Sequence, residues 1–179
     1  VSNRATAAIA PGDVDNDGDL DLALGLFPNA VQLFVNDGSG LFPAAQHRSI
    51  DSSVTFLPYS FVWGDYDGDG FDDLAAAYPL LRQARIYRNV NGTGFTTYAT
   101  LRTDRFLTPF SVDWGDFTGD GLLDLAVANL SPLVYEQTPG GFVRRSQLTV
   151  DNARGPLWRL PGIDLDSDGD LDLSLTNRD

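Results

Sequence analysis

The stretch Asp65-Tyr66-Asp67-Gly68-Asp69-Gly70-Phe71-Asp72-Asp73 decides the fold of this chain. Carboxylates stand at its first, third, fifth and ninth positions and a glycine at its sixth. Alternate residues of a tightly turning loop can aim short Asp side chains at one point, and calcium takes six to eight oxygen ligands at about 2.3–2.6 Å. Gly70 allows the positive φ that the turn needs, which lets the Phe71 carbonyl swing inward as a further ligand. Carboxylates this close repel one another unless a cation lies between them. The spacing therefore points to calcium.

The frame recurs. Asp13, Asp15, Asp17 and Asp21 with Gly18 form a first copy, and Asp164, Asp166, Asp168 and Asp172 with Gly169 form a last. The third copy has Asp116, Asp120 and Asp124 with Gly121, but Thr118 offers only a hydroxyl where the second carboxylate would stand, so this is the weakest expected site. Loop starts at 13, 65, 116 and 164 lie 52, 51 and 48 residues apart. Self-similarity at such a period marks a propeller, solenoid or array. A helix-loop-helix calcium site is excluded, because it requires a carboxylate at position twelve, and here those residues are Leu24, Ala76, Val127 and Leu175.

Each repeat reads as four short strands. In the second, Phe56 to Gly64 enters the loop, Leu74 to Tyr78 leaves it, Ala84 to Arg88 alternates and Phe95 to Leu101 completes the unit. Asn36-Asp37-Gly38-Ser39-Gly40, Asn91-Gly92-Thr93-Gly94 and Pro139-Gly140-Gly141 mark hairpins between third and fourth strands. The runs Leu22 to Phe27, Leu74 to Ala77 and Leu125 to Ala128 are continuously apolar, as suits a strand covered on both faces. Trp63 and Trp114 each stand in Trp-Gly-Asp, two residues before the Asp that opens a loop. Trp is common in sugar sites, but the matching positions favour a place in the core; Trp158 has no counterpart.

Composition narrows the function classes. Acidic residues number 25 against 12 basic, giving −13, and four calcium ions would leave −5. All acids but Glu136 are Asp and all bases are Arg. An acidic chain makes nucleic acid an unsuitable partner. There is no Cys, hence no disulfide or thiolate metal site, and no apolar run long enough to span a bilayer. Oxygen-only calcium sites of modest affinity fill reliably where calcium is near millimolar, which places the chain outside the cell, secreted or at the cell surface.

Asp-x-Asp-x-Asp-Gly-x-x-Asp-Leu, preceded by an apolar-Gly-Asp strand and followed some twenty residues later by Asn-x-Gly-x-Gly-x-Phe, resembles the FG-GAP and VCBS repeats of integrin α-subunit heads and many secreted bacterial proteins. The resemblance covers nearly the whole chain. It implies an all-β fold: a β-propeller of four-stranded antiparallel blades, with calcium held between the first two strands of each blade. Residues 1–179 then form one repeat array, with repeats at about 4–55, 56–106, 107–154 and an incomplete 155–179. The carried-over ligands are Asp13, Asp15, Asp17 and Asp21; Asp65, Asp67, Asp69 and Asp73; Asp116, Thr118, Asp120 and Asp124; and Asp164, Asp166, Asp168 and Asp172. Main-chain carbonyls come from Asp19, Phe71, Leu122 and Asp170. Thr118 departs from the pattern, as does Ile163, which replaces the Gly before the loop. About three and a half blades cannot close a ring, so the chain is expected to be part of a longer propeller or a protomer that completes its array by assembly.

Up to four calcium ions are expected, all structural, since oxygen cages supplied by the protein leave little room for substrate. The expected role is an extracellular scaffold for binding a protein or glycan, with a lectin-like or accessory module of a carbohydrate-active enzyme as the alternative. Catalysis by the chain itself is not expected: His47 is the only histidine, and no second pair of carboxylates suggests a glycosidase. The ligand face is expected opposite the calcium loops, where connections such as Phe27-Pro28-Asn29, Tyr78-Pro79-Leu80-Leu81-Arg82 and Asn129-Leu130-Ser131-Pro132 vary and where Arg102, Arg105 and Trp158 fall.

Overall fold

The alternation of short apolar runs with Gly- and Asp-rich turns folds as twelve strands in three four-stranded antiparallel sheets. A computed structural model describes residues 6–27, 31–104, 108–129, 132–147, 162–163 and 172–173. The first sheet takes Thr6–Gly12 (β1), Asp21–Leu26 (β2), Val31–Phe34 (β3) and His47–Asp51 (β4) in that order. The second takes Ser60–Gly64 (β5), Asp73–Tyr78 (β6), Gln83–Asn89 (β7) and Phe95–Arg102 (β8). The third takes Ser111–Gly115 (β9), Asp124–Ala128 (β10), Leu133–Thr138 (β11) and Gly141–Gln147 (β12). A fourth pair, Gly162–Ile163 (β13) with Asp172–Leu173 (β14), repeats the opening of a sheet. Each sheet is a meander of consecutive strands, which makes it a propeller-type blade.

The register is common to the blades. Gly12 pairs with Asp21, Gly64 with Asp73 and Gly115 with Asp124, so each loop is the connection between a blade's first two strands. Ile163 pairs with Asp172 at the same place, which confirms that it stands where the other blades have Gly. One expected strand is shorter than its pattern: β5 begins at Ser60 and not at Phe56. Pro58 cannot donate to a ladder, and its ring packs on Gly25, where an added Cβ would lie 2.8 Å from Pro58 Cγ.

Two cores lie between successive blades. Val14, Ala23, Val31 and Leu33 of the first meet Leu74, Ala76, Tyr78 and Tyr87 of the second, with Phe61 and Trp63 alongside. The other face of the second blade, through Ala75, Ala77, Ala84 and Ile86, meets Val112, Trp114, Leu125 and Leu133 of the third. Every residue of β6 and β10 is buried, as expected for strands covered on both faces. Burying a Leu or Ile fully contributes about 1.5–3 kcal/mol. The small residues of β6 let the sheets approach closely.

The tryptophans lock this stack. An added Cβ on Gly12 would lie 2.8 Å from Trp63 Cδ1, and one on Gly64 would lie 2.7 Å from Trp114 Cδ1. The Gly just before the first Asp of one blade's loop is thus the seat for the Trp of the next blade. Polar ties add to it. Asp51, at the end of the first blade, accepts from Arg85 (2.7 Å) and from the Tyr87 hydroxyl (2.9 Å) of the second. Burial raises the Asp51 carboxyl, but its bonds with Ser53, Tyr87 and Arg85 outweigh this and hold it below the usual range. Asp104 and Arg144 form a two-bonded pair between the second and third blades (2.7 and 2.8 Å).

Candidate metal centres

Each of the three described loops is built by its own carboxylates before any ion is considered. Asp65 at the first position accepts from the backbone N–H of Asp69 (3.1 Å) and Gly70 (2.9 Å), and Asp13 does the same for Asp17 and Gly18 (3.1 and 3.0 Å). Fifth-position carboxylates close a smaller turn: Asp69 accepts from Phe71 N–H and Asp17 from Asp19 N–H, both at 3.0 Å. Gly18, Gly70 and Gly121 have φ of 94°, 90° and 84°, the left-handed turn expected of the sixth position. The ninth-position Asp opens the following strand and ties the loop to it. Asp73 accepts from Tyr66 N–H at 3.2 Å, Asp21 from Val14 N–H at 3.2 Å and Asp124 from Phe117 N–H at 3.1 Å.

In two loops the side chains converge. One oxygen each from Asp13, Asp15 and Asp17 lie within 4.8 Å of one another, as do oxygens from Asp65, Asp67 and Asp73. Burial raises the Asp73 carboxyl to about 7, with Asp67 and Asp69 adding to the rise against the hydrogen bonds from Asn89 and Tyr66. Asp15 and Asp21 are raised chiefly by burial, and neighbouring loop carboxylates push the same way. Asp15 Oδ1 is buried with no hydrogen-bond partner. Unpartnered, clustered and electrostatically crowded oxygens of this kind are what a hard cation satisfies, so the donor set fits calcium. Arg88 pairs with Asp67 (2.5 Å) and with Asp69 (3.3 Å) of this loop. The Asp19 side chain lies beside Gly38, where a Cβ would come within 2.9 Å of its Oδ2.

The third loop is built alike but gathers less. Asp116 accepts from the N–H groups of Gly119, Asp120 and Gly121 (2.8, 3.2 and 2.8 Å). Burial raises it, but these bonds more than offset that and hold it below the usual range. Asp120 accepts from Leu122 N–H (3.0 Å), and Thr118 gives its hydroxyl to Asp124. Among the described residues, no group of three carboxylates converges here. Asp164, Asp166, Asp168 and Asp170 of the fourth loop, with Gly169, lie outside the described residues, while Asp172 opens β14.

Two segments, 13–76 and 65–127, match the family described as FG-GAP-like repeat, and together they span well over half of the chain. The chain belongs to the FG-GAP-like repeat family. Each match starts on the first Asp of a loop, so the FG-GAP-like unit runs from one loop into the inner strands of the next blade. No curated protein matches the chain.

Several residues that serve these FG-GAP-like loops carry no acidic signature. Asn36, Asn89 and Gln137, just past the third strand or at its end, each donate a backbone N–H to the ninth-position Asp of their own blade, at 2.8, 2.7 and 2.9 Å. The signal was present as a side-chain amide at the same place in three repeats. Arg88 was visible only as an alternating strand residue. At the opposite end of the blades, Phe27, Phe56, Tyr59 and Leu80 are exposed, and Arg82 takes a φ of 54° after a 3-10 turn over Pro79–Leu81. Arg105, Trp158, Pro28, Asn29, Leu130 and Ser131 lie outside the described residues.

Proposed function

We propose that this chain is a calcium-stabilised propeller-type scaffold that works outside the cell by binding a protein or glycan. The observation that carries the calcium part is the convergence of Asp13, Asp15 and Asp17, and again of Asp65, Asp67 and Asp73, each with oxygens within 4.8 Å. The third and fourth loops share the frame, so up to four ions belong to the reading. Backbone carbonyls at Asp19, Phe71, Leu122 and Asp170 complete the oxygen set. The ion would supply charge neutralisation and a rigid turn, and the loop residues bind and orient it. No helix among the described residues is long and apolar enough to cross a membrane, and FG-GAP repeats occur in extracellular proteins.

The binding face we assign is the end opposite the loops. Exposed aromatics and the left-handed Arg82 stand there on connections that differ from blade to blade, the mix that anchors interfaces. A binding role is favoured over catalysis because the loop carboxylates accept from backbone N–H groups of their own loops and their remaining oxygens are taken up by the ion. His47 packs its ring on Phe34 at 4.0 Å, with Nε2 against the Phe42 carbonyl at 3.1 Å.

Thermal denaturation tests the calcium part: stripping the chain of divalent ions should lower the melting temperature, and calcium should restore it in a concentration-dependent way. A melting curve unmoved by chelator would overturn the reading. A glycan and protein array probed with wild type and with Tyr59→Ala/Arg82→Ala tests the face. Loss of signal without loss of calcium-dependent stability is expected, whereas retained signal would place recognition elsewhere.

A further inference from the structure

The amide side chains of Asn89 and Gln137 reach past their own blade. Beginning in the first loop, Val14 donates to Asp21, and the Val14 carbonyl accepts from Asn89 Nδ2 at 2.9 Å. The Asn89 backbone N–H holds Asp73 of the second loop, and the other oxygen of Asp73 holds Tyr66 N–H. The Tyr66 carbonyl then accepts from Gln137 Nε2 at 2.9 Å. Gln137 N–H holds Asp124, which in turn holds Phe117 of the third loop. One line of hydrogen bonds thus passes through three loops, touching a ninth-position carboxylate in each. Val14, Asp21, Tyr66, Asp73, Asn89 and Asp124 are all buried, where such bonds are stronger and polarise one another.

Other contacts press the first and second loops together. Asn16 Nδ2 donates to the Gly70 carbonyl at 2.7 Å, and Arg48 donates to the Gly92 carbonyl at 2.8 Å. Gly92, with φ of 69°, sits so close that a Cβ there would lie 2.9 Å from Asp15 Cα. The hairpin of the second blade therefore clasps the loop of the first.

We propose that Asn89 and Gln137 are positioning residues that couple neighbouring loops, so that a divalent cation held in one blade tightens cation binding in the next. This rests on the calcium reading above. A ligand that orders one loop lowers the ordering cost of whatever is bonded to it. An ordered first loop presents the Val14 carbonyl; Asn89, anchored on it, fixes the N–H that aims Asp73. Gln137 does the same between Tyr66 and Asp124. Because coupling is reciprocal, the effect runs in both directions along the line.

Hydrogen-exchange mass spectrometry of the full chain across a calcium titration gives a protection midpoint for each loop separately. Asp67→Ala disables the second loop without removing a backbone hydrogen-bond acceptor. It should raise the calcium midpoint of peptides over residues 116–124 by about fivefold or more, the lower end of ordinary site coupling. In a Gln137→Met background, which keeps volume and charge, Asp67→Ala should leave that midpoint unchanged while still shifting the midpoint over residues 13–21 through Asn89. Gln137→Glu, which replaces the donor by an acceptor, serves if the Met variant does not fold. A smaller shift in the wild-type background, or one that persists without the Gln137 donor, overturns the coupling and leaves calcium binding intact. Loops that calcium never protects overturn the calcium reading and this inference together.

Discussion

Gly64→Ala should test how the blades lock. The new methyl would lie 2.7 Å from Trp114 Cδ1, 3.1 Å from Cγ and 3.2 Å from Nε1, and the first of these is closer than real Cβ contacts come. Trp114 cannot withdraw easily: it is 8% exposed, stacked on Tyr66 at 6.0 Å and met by Phe142 at 5.9 Å. Overpacking of this kind costs about 1–3 kcal/mol, against a gain of about 0.4–1 kcal/mol from restricting the unfolded chain. The net loss of about 1–2 kcal/mol corresponds to a melting temperature lower by roughly 2–8 °C for a chain of this size. Urea denaturation at saturating calcium measures it, with Gly94→Ala, where nothing lies within 4 Å of the new methyl, as the near-neutral control. In a Trp114→Ala background the Gly64→Ala cost should vanish. A wild-type midpoint for Gly64→Ala, or an equal cost in both backgrounds, would refute the interlock.

Arg88→Gln should strengthen calcium binding in the second loop severalfold, because the guanidinium that competes for Asp67 and Asp69 is gone; calorimetric titration showing equal or weaker affinity would contradict this. Stability should also depend on pH with opposite sign with and without calcium. Asp73, at about 7 in the fold against 3.8 as a free side chain, binds a proton that the unfolded chain has released, so the metal-free chain should gain stability as pH falls from about 7 to 4. Asp21 and Asp124, raised chiefly by burial, act the same way. With calcium saturating, protons displace the ion and the chain should lose stability over that window. Melting curves at pH 5 and 7.5 that move in parallel in the two conditions would rule this out.

Much of this architecture was legible from residue types at fixed spacing. The Asp-x-Asp-x-Asp-Gly frame located every described connection between first and second strands, and the apolar runs Leu74 to Ala77 and Leu125 to Ala128 identified strands buried on both faces. The shared position of Trp63 and Trp114 foretold a buried Trp114 and a half-buried Trp63 packed against the core, but not their seats, since contact between Gly64 and Trp114 spans 50 residues and depends on how one sheet rests on another. Pro58 shortened β5 for a similar reason, by packing on Gly25 of the preceding blade. Asn89 and Gln137 escaped notice because an amide at a strand end is an ordinary residue until a carbonyl of the neighbouring blade is found within its reach. The carboxylates announced themselves by number, whereas what links one loop to the next is a few single hydrogen bonds across an interface.

Calcium in the loops is the claim on which the rest depends, and counting ions tests it most directly. Native mass spectrometry of the metal-stripped chain titrated with calcium should show successive binding up to four ions, and Asp13→Ala and Asp67→Ala should each remove one. A chain that takes up no calcium at millimolar concentration, or a count unchanged by both substitutions, would contradict the account.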